Sequence, residues 1–66
     1  MNEKQIECFL TVSKYQSFSR AAQALFMTQP TVTHQIAALE EELGFPLFVR
    51  SYRAISLTPA GQRFEE

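Results

Sequence analysis

The 66-residue sequence has one cysteine, Cys8, one histidine, His34, and no aspartate. A single thiol excludes an internal disulfide framework and fits a reducing cytoplasm. One thiol and one imidazole are too few for a zinc cage. No apolar run approaches the roughly 20 residues of a membrane span. The start, Met1-Asn2-Glu3-Lys4, mixes charges and has no secretion-signal core. Repeats, low-complexity tracts and Ser/Gly linkers are also missing. What is present is ordinary for a globular chain: hydrophobic residues make up 45% and charged residues 20%, which argues against disorder. The length sets the scale as one small domain or a piece of a larger protein.

The net charge of −1 taken alone argues against a polyanionic partner, but the charges are segregated. Residues 8–39 hold no acid and carry Lys14 and Arg20; residues 43–64 hold none and carry Arg50, Arg53 and Arg63. The acids cluster at positions 3 and 7, at 40–42 and at 65–66. A polyanion responds to the local field, not to the sum.

Punctuation by Pro30, Gly44, Pro46, Pro59 and Gly61 predicts four helices and one hairpin. A first helix is expected over Glu3–Lys14, with Asn2 and Gln5 as a capping box and Ile6, Phe9, Leu10 and Val12 as its apolar face. Cys8 lies off that stripe and reads as a half-buried small residue. A second helix is expected over Phe18–Leu25, capped by Ser17 and sharing Ala21, Ala22 and Leu25 on one face. A third is expected over Gln29–Leu43, with Thr28 as cap, Pro30 in the first turn and Gly44 as a left-handed stop. Val32, Ile36, Leu39 and Leu43 form its buried stripe. The apolar stretch 45–49, a turn at 51–53 and the alternating Ile55-Ser56-Leu57 predict a short hairpin, anchored by Phe45, Leu47 and Leu57. Phe18, Phe26, Phe45 and Phe48 are assigned mainly to the core. Thr58 and Pro59 open a last helix whose large apolar residue is Phe64.

The opposite face of the third helix carries Pro30, Thr33, His34 and Ala37, with Glu41 closing it. A solvated face usually shows Lys and Glu in i,i+4 pairs. This one has hydroxyls, an amide, an imidazole and small groups, a surface suited to close approach and hydrogen-bond reading. The whole is expected to be mainly α with a small two-stranded β-wing, a winged helix-turn-helix with a three-helix core. Its chemistry suits duplex DNA. Hydroxyls of Ser17, Ser19 and Thr28 stand beside free helix-start amides. Gln29 offers a donor and an acceptor together, a pairing suited to adenine; Pro30 and the methyls of Thr31 and Thr33 can touch thymine. Arg50 and Arg53 can neutralise phosphate or enter a narrow minor groove. Arg20 can contact phosphate or pair with an acid, and Tyr52 can stack on DNA or stay on the surface. Two rival classes are weaker. A protein-docking helix would be expected to centre on an aromatic anchor, which this face lacks. An enzyme using Cys8 and His34 would lack a third, orienting group.

Ser17-Phe18-Ser19-Arg20-Ala21-Ala22, Leu25, Thr28-Gln29-Pro30-Thr31-Val32-Thr33, Gln35-Ile36, Leu39-Glu40 and Leu43-Gly44 resemble the N-terminal domain of LysR-type transcriptional regulators. Leu47-Phe48-Val49-Arg50, Arg53, Leu57-Thr58 and Ala60-Gly61 continue the resemblance, and Phe9 fits it. The resemblance covers nearly the whole chain in register. It implies a bacterial, cytoplasmic, sequence-specific DNA-binding regulator and no enzyme. It implies a DNA-binding domain over residues 1–58, with the helix-turn-helix near 18–37, and at 59–66 the start of a linker helix that pairs subunits into a homo-oligomer. It implies a double-stranded operator with an interrupted inverted repeat and no membrane partner. No cofactor is expected in these residues; a small-molecule effector would bind a C-terminal domain beyond them. Carried over by position, the base contacts are Gln29, Pro30, Thr31, Thr33 and His34, and the wing contacts are Arg50 and Arg53. The chain departs from the family pattern at His34, where arginine is very common, at the small Ala37, and at a wing tip without glycine.

Overall fold

Asn2 starts the first helix as the sequence predicts. Its side chain accepts from the Gln5 amide at 2.8 Å while the Gln5 side chain accepts from the Asn2 amide at 3.1 Å. The computed structural model describes residues 1–50 and 55–65. In chain order the elements are α1 (Glu3–Tyr15), α2 (Phe18–Ala24), α3 (Gln29–Leu43), β1 (Phe48–Arg50), β2 (Ile55–Leu57) and α4 (Pro59–Glu65). The expected winged helix-turn-helix is present: a three-helix core and an antiparallel hairpin, followed by a further helix. The predicted turn at 51–53 lies outside the described residues.

The helix ends follow their side chains. Ser17 accepts from the Arg20 amide and Thr28 from the Thr31 amide, so each fills one of the orphan donors of a first turn. Gly44 stops α3 at φ 85°, a left-handed conformation that costs glycine little. α2 ends one residue earlier than predicted, at Ala24, because Phe26 adopts φ 55°. The Phe26 amide donates to the Gln23 carbonyl and the Met27 amide to the Ala22 carbonyl, a paired stop that closes the helix. That geometry turns the Phe26 ring outward: it is 96% exposed and not in the core as expected.

α1, α2 and α3 pack mutually around Phe9, Val12, Ala21, Ala22, Val32, Ile36 and Leu39. The apolar face of α1 is rotated from the predicted one. Cys8 is fully buried and Leu10 is 46% exposed. Helices α2 and α3 both lean on α1, so its buried face centres on Cys8, Phe9 and Val12, and Leu10 falls about 200° from Cys8. A small thiol at the centre permits the close approach.

The wing pairs Phe48 with Leu57, Val49 with Ser56 and Arg50 with Ile55. It leans on the helices through Leu47, which is fully buried, and Phe48. The Phe48 ring lies 5.4 Å from Phe9 and 6.0 Å from Phe18. Phe45, expected as an anchor, is 36% exposed and is not part of the buried core; it lies between the α3 stop at Gly44 and the strand. The anchor the sequence reading missed is polar. Glu40 turns back from α3 and accepts from the Leu47 amide at 2.7 Å and the Phe48 amide at 3.4 Å. Beyond the wing, Thr58 donates to the Pro46 carbonyl at 2.7 Å and accepts from the Gly61 amide at 2.9 Å, which ties the start of α4 to the loop before β1. Phe64 then packs edge-on against Phe9 at 5.2 Å.

Candidate nucleic-acid interface

The face predicted on α3 is a concave, open surface lined by Gln29, Pro30, Thr33, His34 and Ala37. Val32, Ile36 and Leu39 point the other way into the core. Gln29, Pro30, Thr31, His34 and Ala37 are exposed and Thr33 is half-buried. The helical period thus separates the two faces as the sequence implies. Shape is added by the small residues: Pro30, Thr33 and Ala37 leave a hollow between the longer Gln29 and His34.

Hydrogen bonds order the rim of this surface. Ser19 Oγ donates to Gln29 Oε1 at 3.1 Å, linking α2 to the first residue of α3. Thr28 Oγ1 lies 2.7 Å from Thr31 Oγ1 and accepts from the Thr31 amide at 3.3 Å. Ser17 is half-buried and Thr28 exposed, and both hydroxyls serve as caps. The structure therefore brings Ser19, Gln29, Thr28 and Thr31 together at the junction of α2 and α3.

The electrostatics are set by what the first turns lack. α1 opens with Glu3, which offsets the positive end of its helix dipole. Neither α2 nor α3 has an acid in its first turn. Their positive ends therefore face no first-turn carboxylate of their own. Arg20 is exposed, and among the described residues it meets no carboxylate. The ion pair formed instead lies away from this surface, between the Met1 ammonium and Glu42 near the far end of α3.

Arg50 projects from the wing, with its guanidinium carbon 4.2 Å from the centre of the Phe18 ring. Arg53 and Tyr52 lie outside the described residues. Cys8 has no place at this surface. Burial is the main cause of its raised pKa, with Glu7 adding to it, so the thiol stays protonated. Among the described residues no group of three His, Cys, Asp or Glu side chains could hold a metal. No helix among them is long and apolar enough to cross a membrane.

Several proteins similar to this chain in sequence and fold are transcriptional regulators. The family of bacterial regulatory helix-turn-helix proteins named lysR matches residues 4–62. The probable cat1 operon transcriptional activator of Acinetobacter lwoffii is 42% identical over 66 residues, all of this chain and 22% of that protein. The chain spans less than half the length of the curated relatives it matches. A LysR-family regulator from Eggerthella lenta superimposes with a TM-score of 0.93 at 40% identity, covering 98% of this chain and 93% of that one. The BenM DNA-binding domain, solved with benA site 1 DNA, superimposes with a TM-score of 0.92 at 41% identity, covering 97% and 72% of the two chains. These relatives are transcriptional regulators, not enzymes. The chain belongs to the lysR family of bacterial regulatory proteins and is a winged helix-turn-helix DNA-binding domain of that family.

Proposed function

We propose that this domain reads a specific duplex sequence by placing the N-terminal half of α3 in the major groove. The observation that carries the reading is the uncharged hollow of Gln29, Pro30, Thr33, His34 and Ala37 on the outer face of α3, turned away from its buried stripe. Gln29 and His34 supply hydrogen-bonding groups to base edges. Pro30, Thr31 and Thr33 supply apolar contact, for which a thymine methyl is the matching group. Ser17, Ser19, Arg20, Thr28 and Arg50 hold the phosphate backbone, together with Arg53 of the wing tip. An imidazole at position 34 makes guanine a weaker target than an arginine there would.

In the complete protein, residues 1–58 act as the DNA-binding unit and α4 begins a linker that pairs two subunits. The operator is then an interrupted inverted repeat in the bacterial cytoplasm. A small-molecule effector binds a separate C-terminal domain, and these residues need no cofactor. The likeness of the chain to regulators that are several times longer supports this arrangement.

Selection of bound sequences from a random duplex pool by the complete protein tests the reading. An enriched inverted repeat is expected, with affinity falling by about 0.9 log units per phosphate contact per tenfold rise in salt. Gln29→Ala should lose about 1–3 kcal/mol of discrimination at one base pair. Replacing half-site thymines by deoxyuridine should weaken binding at the positions facing Pro30 and Thr33. No enrichment and a flat salt response would instead favour docking on a protein partner.

A further inference from the structure

We propose that Phe18 is a positioning residue for DNA binding: its ring holds the Arg50 guanidinium at the base of the wing, so that this arginine grips a phosphate and does not read the minor groove. The inference rests on the DNA-binding reading above.

The geometry begins in the strand. Side chains alternate along β1, so Phe48 and Arg50 share the face turned toward the helices, while Val49 points outward and is 50% exposed. Phe48 is buried on that face and meets the Phe18 ring edge-on at 6.0 Å. Two residues on, at the edge of the core, Arg50 lies over the same ring at 4.2 Å. That is well inside the roughly 6 Å within which a guanidinium is held by a ring face. Phe18 is 5% exposed and is the first residue of α2, so the ring itself cannot swing away. The ladder Phe9, Phe48, Phe18, Arg50 therefore joins the core of the domain to a cation on its surface.

The attraction acts between the ring face and the cation as a whole, so the guanidinium N–H groups stay available in the fork that fits phosphate oxygens. Among the described residues no carboxylate takes them. A side chain tied back over α2 has already lost part of its rotational freedom, so gripping a phosphate costs less entropy than for a free arginine. The same tether keeps it from extending along a groove.

The test uses the complete protein, a duplex chosen from the random pool and an unrelated duplex, with dissociation constants measured across a salt series. Arg50→Ala should weaken both duplexes by a similar factor, about tenfold, and lower the salt slope by about 0.9. In a double-mutant cycle, Arg50→Ala should cost several-fold less when Phe18 is already leucine, because the positioned contact is then lost. Arg50→Lys, which leaves Phe18 and the core untouched, should keep the salt slope but lose affinity about threefold or more, since an ammonium lacks the planar fork. Three results would overturn the proposal: the same cost for Arg50→Ala with and without Phe18, full affinity for Arg50→Lys, or a loss confined to one operator variant. A wild-type protein whose binding ignores salt would refute the DNA-binding reading itself, a separate outcome. Should Phe18→Leu fail to fold, the same cycle run with Phe18→Met, which fills similar space without a ring face, decides.

Discussion

Ser19 Oγ donates to Gln29 Oε1 across 3.1 Å, joining the second helix to the residue that opens the third. The bond restrains the Gln29 amide through its oxygen, which leaves the NH2 group as the donor toward a base. The remaining acceptor capacity of Oε1 is still open to a base amino group. Ser19→Ala should therefore act through Gln29. Discrimination at the base pair read by Gln29 should fall, by less than the loss for Gln29→Ala, on top of a uniform loss across duplexes from the Ser19 phosphate contact. Profiles of bound sequences for the two variants check this; a Ser19→Ala profile identical to wild type would show that the amide orients itself.

Glu40 should matter to stability far more than its neighbours. Its carboxylate accepts from the amides of Leu47 and Phe48 where the chain enters the wing. Glu40→Ala leaves two part-buried donors without a partner, at a cost of about 1–3 kcal/mol. The exposed Glu41→Ala should stay within about 0.5 kcal/mol. Urea denaturation of the two variants separates them.

Gly61 permits a contact that no other residue fits. A β-carbon there would stand 2.3 Å from the Leu47 carbonyl oxygen, a backbone atom that cannot move aside cheaply. Helix propensity alone favours alanine by about 1 kcal/mol. The clash should win, with Gly61→Ala destabilising by about 1–3 kcal/mol as overpacking does. A thermal midpoint raised by the substitution would refute the close approach.

Phe26 offers the opposite case. It occupies a left-handed conformation with its side chain 96% exposed, so it carries backbone strain without compensating burial. Phe26→Asn keeps the turn and should stabilise by about 1 kcal/mol, the scale of the left-handed penalty. For a domain of this size that amounts to a rise of about 4–8 °C in the unfolding midpoint. Calorimetry of the variant reads it directly.

Cys8 should resist alkylation in the folded protein and react only through unfolding, because its sulfur is fully buried, and burial also raises its pKa. The sign of its pH effect follows. The folded pKa lies above the unfolded one, so this contribution to stability is complete below the unfolded thiol pKa and is lost as pH rises toward the folded value. Cys8→Ala should lose that alkaline dependence, seen as a flatter stability curve on the basic side.

Much of the domain was legible because the relevant forces are local. Caps at Asn2, Ser17 and Thr28, the stop at Gly44 and the stripe of Val32, Ile36 and Leu39 depend on neighbours three or four residues away, and all stand where the pattern puts them. The candidate face was legible for the same reason, since a helix that buries one stripe must expose the opposite one. Leu10, Phe26 and Phe45 were misassigned because hydrophobicity says only that a side chain gains from burial. It does not say whether the fold has room for it. Glu40 and the Phe18–Arg50 stack were missed because their partners lie 7 or more positions away, beyond any helical or strand period.

By itself, the sequence determined the element order, the helix starts and the residues that α3 turns outward, because backbone hydrogen bonding and side-chain periodicity act over a few residues. Which face of α1 is buried, what holds the wing against the helices, and where Arg50 rests were decided only by the tertiary structure. These depend on several elements competing for one small interior, where excluded volume leaves space for Cys8 and Phe48 but not for Leu10.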